Sequence, residues 1–369
     1  MDEEQVMVPD YKRRLERLRR RIEAARIDAL MVSEPNNIFY LSGSSGGYTG
    51  ARVRLLIDSS ESILVIDRRY YEETIRSAFA DKIVPWTKSS FEELVGLVKG
   101  AAYQSLGFEA SHITVKQFER LKREFEGIKL VGTSGLVEPL REVKDAYEIQ
   151  KITKAAEIGD AAFQYILGFI KPGVTEIDIS IELDYFMRRN GSEKSSFETI
   201  VASGVNSAVP HATPSGKKIE VGDFVKMDFG AVVGGYHSDM TRTVVVGKAS
   251  KKQKQIYSLV KEAQETALSK VTPKVECQEL DSIARELIGK KGYGEAFVHN
   301  LGHGVGLEVH EAPVLGKGSK DVLKSNMVIT IEPGIYISNL GGVRIEDLVL
   351  VTKAGYKVLT HSTKELVVL

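Results

Sequence analysis

Apolar positions in the first third of the chain alternate between two periods. Tyr11, Leu15, Leu18, Ile22 and Ala25 recur at helical spacing. The basic run from Lys12-Arg13-Arg14 to Arg19-Arg20-Arg21 is interleaved with them and reads as the solvent side of that helix. An apolar run at 29–33 is followed by Pro35-Asn36, which reads as a turn. Runs at 54–57 and 63–66 flank Asp58-Ser59-Ser60-Glu61, the pattern of a hairpin. Further strands are expected at 83–86, 106–108 and 128–131, with helical stretches between them. A mixed sheet carrying helices is the natural assembly.

From Asp145 the period changes. Ile149, Ile152, Ala156, Gly159, Phe163, Ile166 and Ile170 step by three and four, which predicts one long helix. The segment 140–144 reads as a linker, and two domains follow, an N-terminal α/β domain over 1–135 and a larger one over 136–369. The larger part repeats itself. Lys171-Pro172-Gly173-Val174-Thr175 opens a helical pattern ending near Asn190-Gly191, and Thr272-Pro273-Lys274-Val275-Glu276 opens another ending near Lys291-Gly292. Each leads to an apolar strand that ends in an acid. VGDFVKMD (221–228) and SNMVITIE (325–332) align without a gap, and the aligned acids are Asp228 and Glu332. Tandem halves of this kind predict a pseudo-twofold body with a site on its axis.

Composition narrows the function. Lys+Arg and Asp+Glu each number 50 among 369 residues, so no basic surplus points to nucleic acid. The one cysteine, Cys277, excludes an internal disulfide framework and is expected to be buried and structural. The first residues, MDEEQVMVPD, lack an apolar signal core, and no run is long enough to span a membrane, so a cytoplasmic protein is expected.

Chemistry concentrates in the repeated part. Asp239 lies on the strand that returns after Gly234-Gly235. With a turn around Val233-Gly234, it falls directly opposite Asp228, on the same face. In the second half a turn at 339–342 brings Glu346 back beside Glu332, with Arg344 on the face of Glu346. Two carboxylates held so close need a cation or a shared proton. Five of the seven histidines fall between His211 and His310, three of them among glycines in 297–311. Four acids with one imidazole suit two hard divalent ions: manganese or cobalt first, iron or zinc next. His112 is isolated and reads as a surface residue; His237 reads as structural.

Four segments carry a family resemblance: MDFGAVVGGYHSDMTRT (227–243), HNLGHGVGLEVHE (299–311), TIEPGIY (330–336) and VRIED (343–347). Together they resemble the creatinase/aminopeptidase superfamily with the pita-bread fold, and within it the Xaa-Pro peptidases, prolidase and aminopeptidase P. The resemblance runs from LREVKDAYEI at 140 to about 360, and NIFYLSGSSG (37–46) carries a looser likeness. It implies that Asp228 binds one metal, His303 and Glu332 the other, and that Asp239 and Glu346 bridge them. It implies a substrate-pocket role for His211, stabilisation of the scissile carbonyl by His310, and substrate-side positions for His299 and Arg344. Catalytic roles would then fall to His211, His310 and Glu332. The implied activity is hydrolysis of the bond between a residue and a following proline in short peptides, by a homodimer. The glycine- and serine-rich loop 42–50 would approach the partner's active site.

One position departs from the pattern. Some prolidases carry an arginine just after the HExP segment, whereas Glu311-Ala312-Pro313 here is followed by Val314. That keeps an aminopeptidase for longer peptides as the alternative to a dipeptidase. Methionine aminopeptidase and a non-catalytic binding protein on the same fold rank below both, the latter because all five ligand positions are filled.

Overall fold

The computed structural model describes residues 7–44, 53–86 and 89–369. The chain forms two compact units, Met1–Arg141 and Glu142–Leu369. Most of the loop at 42–50 lies outside the described residues.

The first unit opens with α1 (Tyr11–Ala24), capped by Asp10, whose carboxylate accepts from the Arg13 N–H. Its buried stripe is Leu15, Leu18 and Ile22. Arg14 departs from the expected solvent face: it is buried, and its Nη1 donates to the Tyr40 carbonyl at 2.8 Å. After β1 (Ala29–Val32) the expected turn at Pro35-Asn36 is instead a helix, α2 (Pro35–Ser42). Proline at the first helical position needs no donor there, and the Glu34 carboxylate caps the Asn37 N–H. Then come β2 (Arg54–Asp58), β3 (Ser62–Asp67), α3 (Tyr71–Ser77), β4 (Lys82–Trp86), α4 (Ser90–Gly100), β5 (Ser105–Glu109), α5 (Val115–Glu124), β6 (Lys129–Thr133) and α6 (Glu138–Arg141). The six strands form one mixed sheet in the order β4-β3-β2-β1-β5-β6. The expected hairpin is β2–β3, with Leu55 opposite Leu64.

The second unit is built from two similar runs. In the first, α7 (Ala146–Leu167) and α8 (Glu176–Arg189) pack on β7 (Ile200–Ser203), β8 (Phe224–Phe229) and β11 (Met240–Val245), with the short pair β9 (Val232–Val233) and β10 (Tyr236–His237) at the hairpin tip. Capping boxes fix both helix starts, Asp145 with Glu148 and Thr175 with Asp178. In the second run, α9 (Lys251–Leu268) and α10 (Cys277–Lys290) precede β12 (Gly302–Gly304), β13 (Glu311–Leu315), β14 (Val328–Ile331), β15 (Gly334–Ile337), β16 (Gly341–Arg344), β17 (Asp347–Thr352) and β18 (Gly355–Val358). The sequence reading had not singled out α9, the counterpart of α7. Each run has its own core, Ile158, Phe163, Leu183 and Met227 in one, Val260, Leu280, Ile329 and Val349 in the other. Each fully buried side chain of this size contributes about 1.5–3 kcal/mol relative to exposure. Cys277 lies in the second core, and burial pushes its thiol up to about 12, as a structural residue requires.

Candidate metal centre

β8 and β11 pair antiparallel, with Phe229 opposite Met240 and Asp228 opposite Thr241. Asp239 is therefore not directly opposite Asp228. The turn is Gly234-Gly235, one residue later than the sequence suggested, and both glycines have positive φ, 59° and 79°. A two-residue turn of this kind needs left-handed backbone at both central positions, which glycine adopts without strain. Moving the centre of a hairpin by one residue moves its register by two. Faces repeat every two residues, so Asp239 still shares a face with Asp228, displaced along the strand.

In the second hairpin the turn is at 338–340 rather than 339–342, and the acids still return beside one another. Ile331 faces Asp347 and Gly334 faces Arg344. The same register carried between these two ladders sets Glu332 against Glu346. β12 brings His303 alongside through very close backbone contacts: a Cβ on Gly302 would stand 2.1 Å from the Thr330 carbonyl oxygen, and one on Gly304 2.2 Å from that of Ala312. Only glycine permits these approaches.

The two halves satisfy each other's acids. Asp228 Oδ2 accepts from Arg344 Nη2, and Glu346 Oε2 accepts from Thr241 Oγ1 at 2.7 Å. Glu332 Oε1 accepts from Thr330 Oγ1 at 3.0 Å and lies 3.2 Å from His303 Nε2. His303 Nδ1 faces the Gly304 carbonyl at 3.1 Å, which assigns the proton to Nδ1 and leaves Nε2 pointing at the acids. Burial opposes charge on His303, but Glu332 beside it holds its pKa above the ordinary value.

Among the described residues, three buried carboxylate oxygens find no protein donor: Asp228 Oδ1, Asp239 Oδ1 and Glu346 Oε1. Ligand atoms of Asp239, His303 and Glu346 lie within 4.8 Å of one another. Burial pushes Asp239 well above the usual carboxylate range, and the charge of Glu346 pushes it further. Glu346 is raised likewise, by burial and then by Glu332. Buried acids with unused lone pairs and mutual repulsion are stabilised by cations. The donor set fits divalent metal: Asp239, His303 and Glu346 offer ligand atoms close together, and Asp228 and Glu332 border the same cavity.

All nine residues singled out from the sequence border one cavity of about 710 Å³. His310 stands with its ring edge-on to His303, centroids 4.3 Å apart, and burial followed by the His303 charge holds its pKa down. His299 Nδ1 faces the Asn300 carbonyl at 2.7 Å and Nε2 faces the Tyr336 hydroxyl at 2.8 Å, so both nitrogens are engaged. Arg344 is buried and committed: besides Asp228 it donates to Thr241 Oγ1 at 2.9 Å, Tyr336 Oη at 2.7 Å and the Pro210 carbonyl at 3.2 Å. His211 is exposed on the cavity wall. His237 stays out of the cavity, bonded through Nδ1 to Ser196 Oγ at 2.9 Å. Thr241, Thr330 and Tyr336 were missed by the sequence reading. Their signal was the strand period: each stands two residues from a predicted acid, or within a quoted motif beside one.

Residues 150–353 match the model of metallopeptidase family M24, and residues 14–143 match the creatinase/prolidase N-terminal domain. The chain is 41% identical to an Xaa-Pro dipeptidase of Pyrococcus furiosus, over 96% of this chain and 99% of that one. Among solved structures, an Xaa-Pro dipeptidase from Bacillus anthracis superposes with a TM-score of 0.94 at 43% identity, covering 98% of this chain and all of the other. An X-Pro aminopeptidase from Thermotoga maritima superposes at 0.88 with 36% identity, covering 96% and 99%. The architecture expected from the sequence, a mixed-sheet domain and a pita-bread catalytic domain, is the one these solved relatives share. The chain belongs to metallopeptidase family M24.

Proposed function

We propose that this chain is an Xaa-Pro dipeptidase that uses two divalent metal ions, manganese or cobalt first, with iron or zinc as lesser candidates. The observation that carries the reading is the set of buried carboxylate oxygens without a donor on Asp228, Asp239 and Glu346, gathered with His303 on the 710 Å³ cavity. Asp228 would hold one ion, His303 and Glu332 the other, and Asp239 and Glu346 both. Bound there, the ions acidify a water and offset negative charge on a carbonyl oxygen. Glu332 takes the water's proton on a carboxylate oxygen as the water oxygen bonds to the carbonyl carbon, and returns it to the proline nitrogen as the C–N bond breaks. His310 donates a hydrogen bond to the developing oxyanion. His211 and His299 shape the substrate side of the cavity. Arg344, with its donors spent on Asp228, Thr241, Tyr336 and Pro210, acts there by fixing Asp228 and the cavity wall.

Proline lacks an N–H and restricts its neighbour, so recognition falls to cavity shape rather than backbone pairing. A second reading, an aminopeptidase acting on longer peptides, is favoured by Val314. It lines the cavity, is 44% exposed, and offers no cation to the carboxylate of a dipeptide. We further propose a cytoplasmic homodimer. No helix among the described residues is long and apolar enough to cross a membrane. The test is a panel of Ala-Pro, Ala-Pro-Ala and Met-Ala-Ser, run on metal-stripped protein reloaded with manganese, cobalt or zinc. Cleavage of Ala-Pro above the tripeptides is expected; cleavage of Met-Ala-Ser alone would sink the proposal. Light scattering that shows a fully active monomer would remove the dimer.

A further inference from the structure

Lys226 is a buried amine that the chemistry above does not use. It stands on β8 two residues before Asp228, on the same face, with no exposed surface. No carboxylate among the described residues lies within ion-pair distance of its Nζ. The nitrogen instead donates to the Val209 carbonyl at 2.6 Å and the Pro210 carbonyl at 3.0 Å, and it lies 5.1 Å from the centre of the Tyr336 ring. Burying an amine against neutral acceptors costs stability that a methionine of similar length would not. What the amine gains is a hold on two successive carbonyls, and the next residue is His211.

His211 needs such a hold. Its imidazole has no hydrogen-bond partner among the described residues, so the backbone alone aims it into the cavity. That backbone is pinned at three points. Buried Glu176 accepts from the Ser203 N–H at 2.7 Å and from Ser215 Oγ at 2.6 Å, fixing the two ends of the segment. Lys226 fixes the middle, where Arg344 Nη1 shares the Pro210 carbonyl at 3.2 Å.

We infer that Lys226 is a positioning residue, holding the Val209 and Pro210 carbonyls and through them setting His211 against the substrate. The inference rests on the Xaa-Pro reading of the cavity. The metal-loaded protein is compared with Lys226→Met, His211→Ala and the double variant, measuring kcat and KM for Ala-Pro, bound metal, and hydrogen exchange over 206–213. Lys226→Met should raise KM about tenfold, with kcat and metal content near the parent. The double variant should be no worse than His211→Ala, because both act on one contact. Exchange over 206–213 should quicken whether or not Ala-Pro is cleaved. Multiplying losses, unchanged exchange, or loss of metal in Lys226→Met would overturn the assignment. Should Lys226→Met fail to fold, Lys226→Gln replaces it: its shorter amide reaches one carbonyl, so an intermediate KM is expected and an unchanged one refutes. A parent protein inert on Ala-Pro overturns the substrate reading instead, and the exchange result then decides the role of Lys226.

Discussion

The two acid-bearing hairpins of the catalytic unit share a plan and differ in execution. In the first, Asp228 sits inside an unbroken ladder and Asp239 lies one residue before its partner strand begins. In the second, Glu332 and Glu346 face each other in a gap between two ladders. Support crosses between them: Arg344 of the second hairpin holds Asp228, and Thr241 of the first holds Glu346. Each hairpin thus has one acid next to a cationic or imidazole group, Asp228 with Arg344 and Glu332 with His303. Asp239 lies further from His303, at 3.6 Å from its Nε2, and Glu346 has only the neutral Thr241 donor; these two are the site acids whose pKa is driven up. The useful division of the site is between the two acids held by a close cationic or imidazole contact and the two driven toward the neutral form, one of each per half.

The largest effect should come from the pair whose pKa is driven up, Asp239 and Glu346. Asp239→Asn and Glu346→Gln should each lower activity by more than about a hundredfold and reduce bound metal, if each contributes to both ions as proposed. The two variants should resemble one another more than either resembles Asp228→Asn. Elemental analysis beside activity decides it: either variant keeping two ions and most of its rate would break the bridging assignment.

His310 lies outside the pairing of halves, and its loss should separate rate from metal. His310→Ala should cut kcat by about a hundredfold or more at unchanged metal content, since the hydrogen bond proposed for it would matter mainly in the transition state. A parallel fall in bound metal would move His310 into the ligand shell.

The cross-half supports come next. Arg344→Met should weaken metal affinity by about ten- to a hundredfold, by releasing Asp228. Thr241→Val removes a smaller, neutral donor of nearly the same shape and should cost less. Titrating metal back into stripped variants measures both; Thr241→Val the more damaging would invert the account of which acids are held.

Much of this was legible in the chain, and the failures have physical causes. The aligned strands ending at Asp228 and Glu332 could be read because apolar runs closed by an acid are unusual in a buried sheet. The first register could not, because Val233-Gly234-Gly235 offers two turn centres and only backbone conformation chooses between them. Helix α2 was hidden because proline at a helix start and proline in a turn look alike in sequence. Arg344 borders the same cavity as Glu346, but three of its four acceptors come from segments more than a hundred residues away in the chain. Pairing of that kind leaves no local pattern.

The smallest expected effect concerns Val314. It sits on β13 opposite His303, and directly opposed residues in an antiparallel pair share a face, so its side chain looks toward the metal centre. Its exposure leaves room for a longer side chain. The neighbouring cations cannot serve a substrate carboxylate, because Arg344 is bound to Asp228 and Lys144 to Glu311 at 2.6 Å. A dipeptide's carboxylate, placed directly after the proline ring, therefore meets no fixed positive charge on this wall. Val314→Arg should raise kcat/KM for Ala-Pro by about three- to tenfold, the worth of one partly exposed, bidentate ion pair. Ala-Pro-Ala carries its carboxylate one residue further on and should gain nothing. Equal gains for both peptides, or a gain confined to the tripeptide, would show that position 314 does not face the carboxylate of the leaving proline.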